Sequence, residues 1–170
     1  MGNYNFTELL SPLDFELLSK DLLEAELKIR FENFSEGRDN GIDLRYATYR
    51  YPKSSPVSFI LSKAEVEPPA VIVQCKRYTA FSDLKSELKN NELAKIFKLN
   101  PQRYIITTSV SISPQRANEL KSILTPFLKS TDDIYGSEPL NSLLTKHEEV
   151  ERKHMKLWLS STGVLTTSRG

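Results

Sequence analysis

Hydrophobic and polar residues follow two different periods along this chain, and the changes of period divide it into helices and strands. After Ser11 and Pro12, apolar residues recur at helical spacing to about Leu27. Ser11 is a typical helix cap, and proline is favoured in the first helical turn. The pattern therefore predicts a helix from Ser11-Pro12 to about Leu27, with one apolar face: Phe15, Leu18, Leu22, Leu23, Ala25 and Leu27.

Shorter apolar runs after this helix have the character of strands. Alternation from Leu27 to Phe34 predicts a first strand, the segment Ile42 to Tyr46 a second, and the aliphatic run Val71 to Cys75 a third. Residues 47–70 carry four prolines and several serines. Because proline cannot donate to a central strand, this stretch is predicted to be a long loop or an irregular hairpin.

The second half of the chain returns to helical spacing, interrupted by one further strand. The predicted elements are a helix Phe81 to Leu99, a strand Arg103 to Val110, a helix from Ser113-Pro114 that Pro126 ends or kinks, a turn Ile134 to Ser137, and a last helix Leu140 to Leu159. This order predicts an α/β fold, with a mixed β-sheet flanked by helices in a single domain.

Composition narrows the class of protein without naming a function. The chain has 170 residues, 39% of them hydrophobic and 26% charged, and a formal net charge of +1. A basic footprint for nucleic acid must therefore be local. Cys75 is the single cysteine, no apolar run approaches the roughly 20 residues of a membrane span, and the amino terminus lacks a signal peptide. We therefore expect a cytoplasmic protein that does not associate with membranes.

Polar residues at the end of the third predicted strand mark a candidate site. Gln74 and Lys76 are two residues apart, so both side chains lie on the same face of the strand. A lysine that directly continues an aliphatic strand is costly unless the site needs it. Asp43, at the start of the second strand, is its natural partner. An acid, an amide oxygen and an ammonium group at one sheet end suit a divalent cation and a phosphate.

The first helix carries another candidate carboxylate. Glu16 projects between Leu23 and Leu27, inside the apolar face, whereas Asp21 projects away from it. Two interpretations fit this position: Glu16 extends to the edge of the face to reach water, or it joins Asp43 and Gln74 as an oxygen ligand. In the second case Lys76 orients or deprotonates the attacking water and stabilises charge on the phosphate.

These residues occur in an order that resembles a known superfamily. The motifs are Phe15-Glu16, Gly37-x-Asp39-x-Gly41-Ile42-Asp43 and Gln74-x-Lys76-x-Tyr78. Over residues 11–130 they resemble the Mrr-type branch of the PD-(D/E)xK restriction-endonuclease-like superfamily, in which glutamine often replaces the acid of the third motif. The resemblance implies a magnesium-dependent DNA endonuclease, with Mn²⁺ as a substitute for Mg²⁺. It implies that Asp43 and Lys76 are catalytic and that Glu16 is the helix carboxylate.

A narrower resemblance concerns the biological setting. It is carried by Ser11-Pro12-x-Asp14-Phe15-Glu16-Leu17-Leu18, Arg103-Tyr104-Ile105-Ile106-Thr107-Thr108-Ser109-Val110 and His154-Met155-Lys156-Leu157-Trp158-Leu159-Ser160-Ser161. These stretches resemble the N-terminal nuclease domain of STAND-type ATPases, which are bacterial anti-phage sensors. The implied partners are double-stranded DNA and, for activation, self-association or a larger ATPase and sensor assembly. No Gly-x-x-x-x-Gly-Lys-Ser/Thr phosphate-binding motif is present.

The domain organisation follows from these patterns. Residues 1–10 are a lead-in, and residues 11–160 form the endonuclease-like domain, with a core at 11–130 and a C-terminal helix at 140–160. Residues 161–170 are small and polar and are predicted to be a flexible tail or a linker.

Other chemistry-bearing residues have simpler interpretations. His147 and His154 lie seven residues apart among glutamates, which fits a zinc site, but histidines on an apolar stripe more often pack and form hydrogen bonds. Cys75 is interpreted as a small buried hydrophobic residue. The lysines between Lys85 and Lys98 alternate with Glu87 and Glu92, which is typical of a solvated helix face.

Residues close to the candidate site are better candidates for DNA contact. Arg77 and Tyr78 directly follow Lys76, and Arg38 lies in the turn before Asp43. The alternative function is a catalytically silent module of the same fold that binds nucleic acid or a partner protein. An RNA-directed nuclease is a third hypothesis, since the same site chemistry serves both backbones.

Overall fold

The computed structural model describes residues 3–33, 44–46 and 71–159 of the protein. Its helices are α1 (Phe6–Leu9), α2 (Pro12–Leu27), α3 (Phe81–Glu87), α4 (Leu93–Leu99), α5 (Pro114–Ile123), α6 (Ser137–Lys146), α7 (Glu148–Lys153) and α8 (Met155–Trp158). Its strands are β1 (Glu32–Asn33), β2 (Leu44–Tyr46), β3 (Val71–Lys76), β4 (Arg103–Thr108) and β5 (Ile134–Tyr135). A π-helical turn, Leu88–Glu92, joins α3 to α4, and a 3-10 turn, Thr131–Asp133, precedes β5.

The strands form one mixed sheet in the order β1-β2-β3-β4-β5. β1 pairs with β2 and β2 with β3 in antiparallel fashion, and Leu44 lies opposite Val73. β3, β4 and β5 are parallel, and Lys76 lies opposite Thr108. Parallel neighbours require a crossover connection. The continuous helix α3–α4 supplies it between β3 and β4, and α5 supplies it between β4 and β5.

Side-chain alternation along β3 gives the sheet two faces, which we name after two of its residues. The Gln74 face carries the even-numbered residues of β3 and packs against α3, α4 and α5; its cluster includes Ile72, Leu84, Leu88, Ile96, Tyr104, Ile106 and Leu120. The Cys75 face carries the odd-numbered residues and packs against α2; its cluster includes Leu23, Val71, Val73 and Ile105. Both faces are covered, which explains the nearly continuous apolar sequences of β3 and β4.

The first helix matches its prediction, and the first strand does not. α2 begins at Pro12, the Ser11 hydroxyl accepts a hydrogen bond from the Asp14 amide, and the helix ends at Leu27. The predicted strand Leu27 to Phe34 is reduced to Glu32–Asn33 in the described residues. The reason lies at Lys28, which closes the helix with a left-handed backbone (φ 56°) and turns the chain before pairing begins.

Two predictions for the C-terminal part were wrong. Ile134 to Ser137 was predicted as a turn, but Ile134–Tyr135 is β5, which pairs with Ile106 and Thr107. Leu140 to Leu159 was predicted as one helix, but α6, α7 and α8 are separate segments. The breaks fall at His147 and His154, whose backbones leave the helical region (ψ 71° and 76°).

The short C-terminal helices pack against the amino-terminal pair of helices. Their buried residues join those of α1 and α2 in one cluster: Phe6, Leu10, Phe15, Leu18, Leu22, Leu140, Leu143, Leu144, Val150 and Leu157. The predicted mixed α/β architecture, a sheet with helices on both sides, is confirmed for the described residues. None of the helices in that part of the chain is both long and apolar enough to cross a membrane.

Candidate functional site

Gln74 and Lys76 occupy the carboxyl end of β3 on the Gln74 face. Gln74 is buried with 3% of its surface exposed, and the Lys76 side chain is 16% exposed. The preceding residues Val71, Ile72 and Val73 are all buried. Gln74 and Lys76 are therefore polar side chains at the end of an otherwise buried aliphatic strand. The sequence prediction that Gln74 and Lys76 share one face is confirmed, because both reach the same residue on the helix above them.

That residue is Glu92, at the last position of the π-helical turn. The buried positions of this helix, Leu84, Leu88, Glu92 and Ile96, are spaced by four residues. In a regular α-helix, residues four apart drift by roughly 40° per step, since 3.6 residues make a turn. The π-helical turn takes one additional residue and reduces this drift. Glu92 therefore stays above the sheet with only 2% of its surface exposed.

The Glu92 carboxylate holds both polar side chains of β3. Gln74 Nε2 donates to Glu92 Oε2 at 2.6 Å, and Lys76 Nζ donates to Glu92 Oε1 at 2.9 Å. Lys95 Nζ lies 3.6 Å from Glu92 Oε1, and Glu87 Oε1 lies 3.8 Å from Lys76 Nζ. The cluster thus contains two lysines and two glutamates, and its formal charges cancel. Such a balance lowers the cost of burying charged groups.

The two residues after Lys76 point in different directions. Tyr78 lies near the charged cluster; burial raises the pKa of its phenol, and the nearby charge of Glu87 raises it further. Arg77 instead donates from its guanidinium to the Thr7 carbonyl oxygen at 3.2 Å, beside α1. Both were predicted to contact DNA. The structure brings Tyr78 to the candidate site and directs Arg77 towards α1.

Glu16 is half-buried on α2, which covers the Cys75 face. One turn further along the same helix, the Ser19 hydroxyl contacts the Thr107 hydroxyl at 2.9 Å, and Thr107 lies opposite Cys75. This contact fixes α2 against the carboxyl half of β3 and β4. Glu16 thus approaches the strand ends from the face opposite Gln74 and Lys76, and membership of one ligand set stays a prediction.

Two predicted site residues, Arg38 and Asp43, lie outside the described residues. Asp43 immediately precedes Leu44 in the sequence, and Leu44 pairs with Val73, which immediately precedes Gln74. Within residues 3–33, 44–46 and 71–159, no group of three or more histidine, cysteine, aspartate or glutamate side chains is arranged to hold a metal ion. The predicted turn around Gly37 and Gly41, the loop 47–70 and the tail 161–170 also lie outside the described residues.

The histidines take the structural role that the sequence favoured. His154 Nε2 lies 2.7 Å from Asp21 Oδ2, and His147 Nε2 lies 3.0 Å from Glu26 Oε2. Each histidine lies between two C-terminal helices, and its side chain contacts a carboxylate of α2. Cys75 is half-buried and packs against the apolar clusters beneath α2, in line with its interpretation as a small hydrophobic residue.

Asp21 was predicted to lie off the apolar face of α2, and in the structure it has partners from the C-terminal segment there. Its carboxylate is 19% exposed and also lies 3.4 Å from Lys153 Nζ. Burial opposes its ionisation, but the hydrogen bonds and positive charge of His154 and Lys153 outweigh burial and lower the pKa of Asp21. Asp21 therefore fastens α2 to α7 and α8.

Sequence reasoning missed Glu92 and placed it on a solvated helix face. The error came from fitting a strict α-helical period, which groups Leu93 and Phe97 with the core. The structure leaves Phe97 57% exposed and buries Glu92 instead. The available signal was the interval of four residues between Leu88, Glu92 and Ile96, together with a strand lysine that needed a buried partner.

Comparison with known proteins adds one relative. No protein-family model matches the chain, and no solved structure matches it. An uncharacterized protein of Sinorhizobium fredii (strain NBRC 101917 / NGR234), y4cD, is 41% identical over 164 residues. The match covers 95% of this chain and 22% of the relative, so the chain spans about a fifth of that protein's length.

Proposed function

We propose that the protein is a magnesium-dependent DNA endonuclease domain with a restriction-endonuclease-like fold. The observation that carries this proposal is the juxtaposition at the end of β3. Gln74 and Lys76 lie side by side on one face, and the paired strand β2 begins one residue after Asp43. An amide oxygen and an ammonium group at a sheet end suit hydrolysis of a phosphodiester, and we assign the carboxylate that completes the set to Asp43.

We assign to Lys76 the activation of the attacking water and the stabilisation of negative charge on the phosphate. Its ammonium group lies at the strand end with 16% exposure, so it is accessible yet poorly hydrated. Such a group can orient the attacking water and stabilise the negative charge that develops on the phosphate. We assign to Tyr78, close to the same cluster, a contact with the nucleic acid backbone.

The donor chemistry fits a hard divalent cation. A carboxylate only accepts hydrogen bonds, so Glu92 requires the NH₂ end of the Gln74 amide to face it. The amide oxygen of Gln74 is then directed away from Glu92, and oxygen is the ligand that Mg²⁺ and Mn²⁺ prefer. Gln74 would hold the cation together with Asp43 and Glu16. A bound Mg²⁺ would supply a more acidic water and charge neutralisation at the phosphate.

The proposed setting is a larger defence protein of the bacterial cytoplasm. The relative y4cD extends far beyond the matched region, which is compatible with a nuclease domain joined to other domains. Double-stranded DNA is the proposed substrate. Control by self-association, or by an attached ATPase and sensor, follows from the resemblance to STAND-type effectors.

The proposal is tested by incubating supercoiled plasmid with the protein and Mg²⁺ or Mn²⁺. We expect nicked and linear products that vanish with excess EDTA and return when Mg²⁺ is restored. A single-stranded RNA and a duplex RNA of matched length run in parallel separate a DNase from an RNase. Full cleavage in excess EDTA would contradict the metal requirement, and cleavage of RNA alone would contradict the substrate.

The alternative, a catalytically silent module of the same fold, is favoured by one observation. Glu92 satisfies the charge of Lys76 at 2.9 Å, so the lysine has a structural explanation that needs no catalysis. A silent module would bind DNA in a gel-shift assay and leave plasmid intact at every Mg²⁺ and Mn²⁺ concentration.

A further inference from the structure

Glu92 lies at the centre of the charged cluster without belonging to the motifs that led to the proposed site. Each of its carboxylate oxygens accepts from a different side chain of β3, Oε2 from Gln74 and Oε1 from Lys76. We propose that Glu92 is a positioning residue that sets the geometry of both groups for metal binding and cleavage. This inference rests on the proposed function and adds to it a residue outside the Asp43, Gln74, Lys76 and Glu16 set.

Glu92 fixes the orientation of the Gln74 amide. An amide can be turned by half a rotation with almost no change of shape, so packing alone does not decide whether its oxygen or its nitrogen faces the strand end. A buried carboxylate decides it, because it accepts hydrogen bonds and donates none. At 2.6 Å, the contact between Gln74 Nε2 and Glu92 Oε2 is short and charge-assisted. Glu92 thus turns the amide nitrogen of Gln74 towards itself and the amide oxygen, the atom that could bind a cation, away from itself.

Glu92 also restrains the Lys76 ammonium group. Lysine has a flexible four-carbon stem, and a catalytic ammonium must be held in place. Glu92 Oε1 accepts from Nζ at 2.9 Å, which restrains the stem on the Gln74 face. One carboxylate therefore couples the proposed metal ligand to the proposed catalytic lysine.

The backbone that carries Glu92 departs from a regular α-helix. Burial of a carboxylate is costly, and π-helical turns are rare and frequently occur at functional sites. Here the π-helical turn Leu88–Glu92 ends at the buried glutamate. Both features have one explanation if the helix is shaped to bring a carboxylate to Gln74 and Lys76.

The test is the Glu92→Gln variant, which preserves shape and removes the charge. Its new side chain can donate as well as accept, so it no longer dictates the orientation of the Gln74 amide. Loss of such a partner of a ligand typically lowers metal affinity or activity by about 10- to 100-fold. We expect Mn²⁺ affinity, measured by calorimetry without DNA, to fall by that factor, and plasmid cleavage to fall with it.

Two comparisons separate positioning from simple stabilisation. Glu119→Gln makes the same chemical change in another lysine–glutamate pair, in which Lys85 Nζ lies 3.1 Å from Glu119 Oε2. Glu119 lies on α5, and its side chain is 40% exposed. Glu119→Gln should leave Mn²⁺ affinity and cleavage unchanged. Lys76→Met removes the ammonium group that donates to Glu92. It should leave Mn²⁺ affinity intact and abolish cleavage. A merely structural Glu92 would give Glu92→Gln and Lys76→Met the same Mn²⁺ affinity once both are shown by circular dichroism to be folded.

An exchange of the two side chains provides a rescue. Gln74→Glu alone places two carboxylates within hydrogen-bond distance and should destabilise the fold. Gln74→Glu combined with Glu92→Gln restores one amide and one carboxylate and should recover Mn²⁺ affinity relative to Glu92→Gln alone. The double variant also answers the question if Glu92→Gln alone does not fold.

The outcomes distinguish this inference from the proposed function. If the wild-type protein neither binds Mn²⁺ nor cleaves, the proposed function fails, and the role of Glu92 fails with it. If the wild type binds and cleaves while Glu92→Gln does both within twofold of it, the proposed function stands and the positioning role is overturned. Cleavage that rises in Glu92→Gln would also overturn it.

Discussion

Lys76→Met separates what the charged cluster contributes to stability from what it contributes to chemistry. The substitution keeps the length of the side chain and leaves the Glu92 carboxylate, 2% exposed, without its shortest ion pair. Loss of one partner of a buried ion pair costs about 3–5 kcal/mol. We expect the lower end of this range, roughly 3 kcal/mol, because Gln74 still donates to Glu92 and Lys95 remains within 3.6 Å.

The double variant Lys76→Met/Glu92→Gln carries the decisive comparison. Neutralising Glu92 in the absence of Lys76 should restore about 2 kcal/mol of the loss, since a neutral amide is far less costly to bury than a carboxylate that has lost its shortest ion pair. Cleavage should stay absent in both variants, because neither contains the lysine. Stability and activity thus respond differently to the second substitution.

The assay is urea unfolding followed by far-UV circular dichroism at one pH and temperature. With an unfolding slope of about 2 kcal/mol per molar urea, a loss of about 3 kcal/mol lowers the midpoint by about 1.5 M. A chain of this size is expected to have roughly 5–15 kcal/mol of stability, so Lys76→Met should remain folded without urea. A double variant less stable than Lys76→Met, or a single variant with an unchanged midpoint, would refute the buried pair.

Further predictions concern the first helix, pH and assembly. Glu16→Gln should strongly reduce cleavage. Asp21→Asn should keep cleavage and lower the unfolding free energy by about 1–2 kcal/mol, as expected for a half-buried hydrogen bond to a charged group. The opposite pattern of cleavage would move the helix carboxylate to Asp21. The stability that comes from the lowered pKa of Asp21 is present above its unfolded-state pKa of about 4 and is lost as pH falls through the folded value. In a plot of urea midpoint against pH, Asp21→Asn should therefore show a smaller decline at acid pH than the wild type. An equal decline in both proteins would contradict this. One active site cuts one strand, so fusion to a dimeric carrier should raise the ratio of linear to nicked plasmid at equal protein concentration; an equal ratio in free and fused forms would show that assembly is not the switch.

The sequence was most informative where one periodicity governed a whole element. α2 has the predicted bounds because its cap, its first-turn proline and its apolar face all agree. Alternation along β3 correctly placed Gln74 and Lys76 on one face. The partners of this strand end were less predictable, because they come from elements distant in sequence.

The failures have specific physical causes. Glu92 was placed in solvent because a π-helical turn changes which residues face the core, and a fixed helical period does not anticipate it. β5 contains only two residues, too few for alternation to show. His147 and His154 fit the stripe of a continuous helix, yet each sits at a break where its side chain reaches a carboxylate of α2.

The most direct test of the account compares Mn²⁺ affinity and plasmid cleavage in the wild type, Asp43→Ala and Lys76→Met. We expect Asp43→Ala to lose both. We expect Lys76→Met to bind Mn²⁺ at least as tightly as the wild type, because a positive neighbour is removed, while cleavage falls by about 100-fold or more. Lys76→Met that cleaves at the wild-type rate, or Asp43→Ala that binds Mn²⁺ as the wild type does, would contradict the account.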